Sequence, residues 1–538
     1  MIGYVCKYTP IEIFEFMGEH CEKIEPELKA TPAADSIFHP NMCAYSKCVL
    51  EACLSGKYEK LIFTNCCDSI RRVYDILKAR FSEQFVYMME LPRKCNEKSI
   101  GFYKEEIDKL IEDYEAFSGK VFDAAQFKGY ARQFYLKKAV ENNEEILLIG
   151  ARTPEFIKEI LKEQVVCFTD LTCSSHERRL LDSESYEKSL LHQFPCMRME
   201  KYWDQVSDVI DQNHFKGVLY PTIKFCDYYS YGYSLLKGIE DLKIFKFETD
   251  YLKQGTGQLY TRIEAFMEPI KKDKTKTSTK RIQNSIIAGV DSGSTSTNIV
   301  LMNKEREILA YHIIPTGAKS VLSAEKAYKE LLIQSKISPQ QVSYIIATGY
   351  GRAKIPFAHK CVTEISCHGK GAHYFDASVR TIIDIGGQDS KVIRIDENGE
   401  VLDFTMNDKC AAGTGRFLEM MSNTLEMSLE EMGEMYKESG EILEISSMCS
   451  VFAESEVISL IAENKEKNDI VHALNRSVVA RVVGMVERLG HKPGYMMTGG
   501  VAKNKSIIKA FESALGEDII VPEEPQITGA VGACLFAL

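Results

Sequence analysis

Residues 288–301 read AGVDSGSTSTNIVL, and residues 381–395 read TIIDIGGQDSKVIRI. Each is an apolar strand that runs into an aspartate, Asp291 or Asp384, then a turn of glycine and small polar residues, then a second strand. Such a turn offers backbone N–H groups and hydroxyls to a phosphate, and the aspartate can hold magnesium or orient water. One copy alone is weak, because a Gly/Ser turn is usually only a hairpin. The second copy, and a third glycine-rich turn in YMMTGGVAKN (495–504), change the reading. The candidate nucleotide-binding residues are Gly293, Ser294 and Thr295 in the first turn, Gly386 and Gly387 in the second, and Thr498, Gly499 and Gly500 in the third. Asp291, Asp384 and Gln388 are the candidates for catalysis.

Two acidic phosphate turns followed by an adenosine-type turn resemble the ATPase fold of actin, hexokinase and the heat-shock proteins, with ATP and Mg2+ in a cleft between two lobes. No Walker A sequence is present, so a P-loop NTPase is not supported. A small-molecule kinase would use the same fold, so fold alone does not name the activity.

The 538 residues are too many for one core and predict two to four domains. With 45% hydrophobic and 27% charged residues the composition is that of an ordinary globular protein. A net charge of -11 gives no basic face to neutralise phosphates, which argues against a nucleic-acid partner. No segment reads as a secretion signal or a membrane span, so a cytoplasmic location is expected. Seventeen cysteines are many for a reducing compartment, where disulfides do not persist, which makes some of them candidate metal or redox ligands.

The stretch KKDKTKTSTKRIQN (271–284) is basic, threonine-rich and has almost nothing to bury, as a solvated linker does. It separates an expected domain 1–270 from another at 285–538. In the first, KLIFTN, FVYMME, EILLIG, VVCFTD, GVLYPT and KIFKFET read as strands, and DSIRRVYDILKARF and TPEFIKEILKEQ as helices between them. This alternation predicts parallel α/β subdomains of Rossmann-like type. Cys66 and Cys67, Cys173 and Cys226 fall just after such strands, where open α/β sheets bind ligands. Cys43, Cys48 and Cys53 are five apart, about 140° on a helix, so they cannot all face one site. Cys6, Cys21, Cys95 and Cys167 have no supporting context and are assigned structural roles. No internal repeat of fixed period is visible.

In NDKCAAGTGRF (407–417) and ISSMCSVFAESEV (445–457), Cys410 and Cys449 each precede a helix-like pattern. Two helix N-termini aimed at one point favour an anionic thiolate or a thiolate-held cluster. Together with GVDSGSTSTNIV, ATGYGR, EISCHGKGA, IDIGGQDSKVI, RSVVARVVG and MTGGVAKN, these segments resemble the activator ATPases of 2-hydroxyacyl-CoA dehydratases, a family that includes the ATPase subunits of benzoyl-CoA reductase. The resemblance implies a homodimer with one [4Fe-4S] cluster at its interface, held by Cys410 and Cys449 of each chain. It also implies ATP-driven delivery of an electron to a very low-potential acceptor, an upstream donor such as ferredoxin or flavodoxin, and sensitivity to oxygen.

The segments MCAYSKC, TNCCDSIRRVYD, HQFPCMRMEKY, GVLYPTIKFCDYYS and ETDYLKQGTGQLYTRIEAFME resemble the subunits of 2-hydroxyglutaryl-CoA dehydratase, benzoyl-CoA reductase and the double-cubane cluster proteins. That resemblance implies a second iron–sulfur cluster, with Cys43, Cys66 or Cys67, and Cys226 as favoured ligands and Cys173 and Cys196 as further ones. Dehydratases use two different homologous subunits, whereas this chain carries one copy, so either it pairs with itself or a dehydratase or reductase partner subunit completes it.

The combined expectation is ATP-dependent electron transfer from the second half into the first, driving a reduction or a radical dehydration, with an acyl-CoA as one substrate class. A small-molecule kinase of the same fold and a non-catalytic ATP-gated redox or cluster-delivery protein are the alternatives.

Overall fold

The apolar runs of the first half pair into two parallel sheets. In the computed structural model, which describes residues 1–134, 146–164, 168–175, 184–236, 242–253, 256–271, 286–407, 411–435, 441–445 and 449–538, the chain forms two compact units, Met1–Tyr260 and Thr261–Leu538. The division falls inside the helix Thr256–Lys271, ahead of the boundary expected at residue 270. The reason is in the side chains: Glu264 of that helix accepts from Arg352, and Glu268 accepts from the backbone N–H of Thr363 at 2.8 Å. The expected linker beyond Lys271 lies outside the described residues.

In the first unit, β1 (Ile2–Tyr4), β2 (Cys21–Lys23), β3 (Lys60–Thr64) and β4 (Phe85–Met89) form a parallel sheet of order β2-β1-β3-β4. The strands β5 (Ile146–Leu148), β6 (Phe168–Asp170), β7 (Gly217–Ile223) and β8 (Ile244–Thr249) form a second parallel sheet of order β6-β5-β7-β8. Each sheet therefore reverses its strand order beside its first strand. The crevice beyond the carboxyl ends of the strands at such a reversal is where this architecture binds ligands. The two crevices meet: Lys23 donates to Ser174 O at 2.9 Å, Arg152 donates to Val5 O, and the Ala44 N–H donates to Lys224 O at 3.2 Å. All seven residues of β7 are buried, as a strand covered on both faces requires.

The second unit holds two five-stranded sheets built on one plan. The first runs β11 (Ile308–Pro315), β10 (Ser296–Met302), β9 (Ile286–Ser292), β12 (Val342–Thr348), β13 (Lys360–Cys361). The second runs β16 (Val401–Asn407), β15 (Ser390–Ile395), β14 (Thr381–Ile385), β17 (Tyr495–Thr498), β18 (Ile519–Ile520). In both, an antiparallel meander of three strands is extended by two parallel ones. This duplication, the actin/hexokinase/heat-shock-protein architecture, leaves no fixed period in the sequence because the two lobes carry different insertions. Between the sheets the helices Glu364–Phe375 and Thr528–Leu535 pack so closely that a Cβ on Gly532 would overlap the Cys367 carbonyl. Among the described residues no helix is long and apolar enough to cross a membrane.

Candidate functional site

The duplication sets two aspartates at equivalent positions. Asp291 near the end of β9 is paired in register with Asn298 on one side and Thr348 on the other. Asp384 near the end of β14 is paired with Lys391 and Thr498. Both turns are closed by the same hydrogen bond, Gly293 N–H to Ser296 O and Gly386 N–H to Asp389 O, each 3.0 Å. The two turns touch: a Cβ on Gly387 would overlap Thr295 Oγ1, so only glycine lets them close.

A cavity of about 250 Å³ opens beside them. Thr295, Gly386, Gly387 and Gly500 line it, as expected, joined by Ser296, Gly415, Leu418, Glu419, Leu429, Glu430, Val501, Lys503 and Asn504. The helix Gly415–Thr424 starts there because its first amides donate to the phosphate turn, Gly415 N–H to Gly386 O and Arg416 N–H to Gly387 O, both 2.8 Å. Ser294 and Gln388 are exposed and do not line the cavity. Gly293, Gly499, Asp291, Asp384 and Thr498 also lie outside its wall, the last three buried.

Asp384 is the anchor of a buried charge group. Its Oδ1 accepts from Thr498 Oγ1 at 2.9 Å, its Oδ2 lies 3.2 Å from Lys391 Nζ, and His368 Nδ1 stands 3.7 Å away. Lys391 also pairs with Asp389 at 2.9 Å and Glu364 at 3.8 Å. Burial alone would raise the Asp384 carboxyl, but His368, Lys391 and the Thr498 hydroxyl outweigh it and bring it down to about 2. Among the described residues no hydrogen bond or ion pair holds the Asp291 carboxylate: burial, then repulsion from Glu364 and Asp384, outweighs the more distant Lys391 and pushes it up to about 7. Burial lowers the His368 pKa below the usual value, against the pull of Asp384. Lys391, His368 and Glu364 were missed from the sequence. A signal for Lys391 existed, since a tight turn over Gly386–Asp389 pairs Ile385 with Ser390 and hence Asp384 with Lys391.

The Asp291 shift predicts a pH dependence of folding. A carboxyl that titrates near 7 when folded and at 3.8 when unfolded binds its proton more tightly in the folded state. Stability is therefore full below the unfolded value and is lost as pH rises through the folded one. At 1.36 kcal/mol per unit, the loss reaches about 4 kcal/mol between about pH 4 and pH 8. Urea unfolding of nucleotide-free Asp291→Asn is expected to lack this component; parallel pH curves for variant and wild type would refute it.

The first unit gathers cysteines. Cys6 follows β1, Cys66 and Cys67 follow β3, Cys173 follows β6, and Cys226 follows β7, all at the carboxyl ends of strands. Cys43 caps the N-terminus of the helix Ala44–Leu54, and Cys196 sits in the loop before Tyr202–Gln212. As thiolates they would act on one another in a closed series, Cys6 with Cys66, Cys66 with Cys43, Cys43 with Cys226, Cys226 with Cys173, and Cys173 with Cys6, with Cys196 beside Cys6 and Cys173, so the series is a ring of neighbours. Burial pushes the thiols of Cys196 and Cys226 up to about 12, and those of Cys6 and Cys43 upward. Cys66 is raised chiefly by its hydrogen bond with Cys67, then by burial. Cys66 is thus the member of the pair that faces the ring, while Cys67 caps the helix Asp68–Arg80. Cys6, assigned a structural role from the sequence, belongs to the ring; β1 is only three residues long and was not legible as a strand.

Cys48 and Cys53 face the core of their helix. No group of three or more His, Cys, Asp or Glu side chains among the described residues converges closely enough to hold a single metal ion. Three tyrosine hydroxyls near the thiols, of Tyr8, Tyr202 and Tyr251, are buried with no hydrogen-bond partner among the described residues.

Cys449 is exposed at the N-cap of the helix Ser450–Ala462. Val451, Phe452 and Ile458 of that helix are exposed by 62%, 65% and 53%, an apolar face that water alone does not favour. Thr424 Oγ1 donates to Glu454 Oε1 at 3.2 Å and ties this helix to Gly415–Thr424. Cys410 lies outside the described residues, as does Cys167.

The activator of lactoyl-CoA dehydratase from Anaerotignum propionicum is 44% identical over 249 residues, 46% of this chain and 96% of the relative. Residues 288–537 match the BadF/BadG/BcrA/BcrD ATPase family. The chain belongs to this ATPase family. Residues 6–140 and 130–270 match the D-component of 2-hydroxyglutaryl-CoA dehydratase, so both resemblances read from the motifs hold. The (R)-2-hydroxyglutaryl-CoA dehydratase activating ATPase of Acidaminococcus fermentans is 42% identical over 250 residues, 46% of this chain and 95% of the relative. A solved activator of the 2-hydroxyisocaproyl-CoA dehydratase from Clostridium difficile, with bound ADPNP, is 41% identical across 47% of this chain and 94% of its own, with a TM-score of 0.45.

Proposed function

We propose that the chain uses ATP hydrolysis in its second half to move single electrons from a [4Fe-4S] cluster at a homodimer interface into an iron–sulfur group in its first half, for a reduction or radical dehydration. The observation that carries this reading is the ring of cysteines in the first unit, joined on one chain to an activator-type ATPase. Thiols raised by one another and by burial are costly to ionise unless a cationic group shares them.

In the first half Cys43, Cys66, Cys226 and Cys173 would hold that group, with Cys6 and Cys196 adjoining. An iron–sulfur cluster supplies one-electron chemistry when bound. In the second half the exposed Cys449 and Cys410 are the proposed ligands. Two thiols per chain are too few for a four-iron cluster, and a second copy supplies the others. The exposed Val451 and Phe452 beside Cys449 would be covered by that copy. Asp384, fixed as an anion by Lys391, and Asp291 would take Mg2+ and orient water at the phosphates; a cation beside Asp291 would also relieve its repulsion with Glu364. Thr295, Gly386, Gly387 and Gly500 would bind the phosphates and adenosine. Lowering a one-electron donor by about 0.3 V requires roughly 7 kcal/mol, which nucleotide-driven rearrangement can supply. Keeping donor and acceptor on one chain raises their effective concentration.

A low-potential carrier such as ferredoxin or flavodoxin fits as the upstream donor, and the acyl-CoA substrates of the dehydratases are the first class to test. Iron and sulfide analysis of anaerobically purified protein, with paramagnetic resonance spectra before and after ATP and reductant, tests the reading. About six or ten irons per chain, with a second signal appearing only after ATP, is the expected outcome. Iron-free protein after anaerobic reconstitution would end the proposal, and phosphoryl transfer to a small molecule by such protein would install the kinase.

A further inference from the structure

The cysteine ring has a buried cation at its edge. Arg152, in the loop after β5, is only 6% exposed. Its Nη1 donates to Glu25 Oε1 at 3.2 Å, its Nη2 donates to Val5 O, and its guanidinium lies 4.4 Å from the centre of the Tyr45 ring. The same charge acts on Cys43, Cys66 and Cys173, which come from three different elements of the ring. Lys23 stands beside it, 3.1 Å from Glu25 and bonded to Ser174 O. Among the described residues, two buried cations stand against one carboxylate, an excess of one positive charge. Tyr251, with its unpartnered hydroxyl, packs edge-on against Tyr45 at 5.0 Å and stands in the fields of both Arg152 and Cys173. It also holds a positive φ of 62°, which a tyrosine rarely adopts and which marks a site where the surroundings impose the backbone.

An isolated buried cation is costly, and a cation paired to one carboxylate alone would be neutral. The excess charge is explained if the ring carries an anion.

We infer that Arg152 is a positioning residue for the iron–sulfur group of the first half, setting its reduction potential by compensating the charge that the thiolates and the incoming electron bring. This rests on the proposed presence of iron at the ring. Reduction adds one negative charge beside the guanidinium, so removing the cation disfavours the reduced form, and removing Glu25 favours it.

The test uses the full chain carrying Cys449→Ser, so that the titrated iron belongs to the first half. Its midpoint potential is measured by anaerobic redox titration alone and with Arg152→Gln, Arg152→Lys or Glu25→Gln added. Arg152→Gln is expected to weaken one-electron reduction at least tenfold, 59 mV more negative. Glu25→Gln is expected to shift it in the opposite direction, and Arg152→Lys to stay within about threefold, or about 28 mV. Iron-loaded Arg152→Gln and Glu25→Gln proteins with the parent's potential would overturn the inference and leave the cluster in place. Should Arg152→Gln lose its iron, Glu25→Gln decides: an upward shift supports the inference and no shift overturns it. A parent without iron would remove the cluster itself and this role with it.

Discussion

Asp384→Asn is expected to slow ATP hydrolysis by about two to three orders of magnitude, the usual loss when one pre-set electrostatic group is removed from a reacting phosphate or carbonyl. The carboxylate is already an anion at neutral pH because Lys391 lies 3.2 Å from it and Thr498 donates to it at 2.9 Å. Asparagine keeps the shape and can still meet Thr498. It removes the charge that the proposed nucleotide-bound cation would use and leaves Lys391 to Asp389 and Glu364. Steady-state phosphate release, with nucleotide binding measured separately, checks the result. A variant that hydrolyses ATP within about threefold of wild type would show that Asp384 is structural. His368 and Thr498 would then be read as members of a packing network and nothing more.

Replacing Cys43 and Cys226 together by serine is expected to remove the iron proposed for the first half, about four or eight atoms per chain, while ATP hydrolysis stays within about twofold. Both residues are neighbours within the ring, and neither belongs to the unit that holds the two phosphate-type turns. Cys449→Ser is expected to remove a different population, about two atoms per chain, because a shared cluster counts half to each copy. The combination separates the two sites by arithmetic alone. Unchanged iron in the Cys43/Cys226 double variant would break the ligand assignment, and coupled loss from both sites would mean that the two populations are not independent.

Much of the second unit was legible because its signals are local. A strand, an acid and a glycine turn lie within a dozen consecutive residues, and the hydrogen bonds that close the turns, Gly293 to Ser296 and Gly386 to Asp389, span three positions. The longer strands of the first unit were legible for the same reason, since KLIFTN and FVYMME became β3 and β4 in parallel register. The three-residue strands β1 and β2 were not, because so short a run carries no periodicity. With β1 went Cys6, although the rule that singled out Cys173 and Cys226 applies to it equally. Gln388, a polar residue inside the second turn and a candidate for catalysis, is exposed.

The sequence by itself determined the two halves, the three turns, the ATPase architecture and the family, because each rests on contiguous residues whose backbone preferences are set by their neighbours. Tertiary structure alone decided which distant groups share a volume. Lys391 meets Glu364 and Asp384 because a helix packs across a hairpin. Cys6, Cys66, Cys173 and Cys226 share one region because two sheets turn the carboxyl ends of their strands toward each other. Arg152 reaches Val5 and Glu25 across that same gap. Such meetings depend on strand order and sheet orientation, which come from burying whole apolar faces and leave no mark at any one position in the chain.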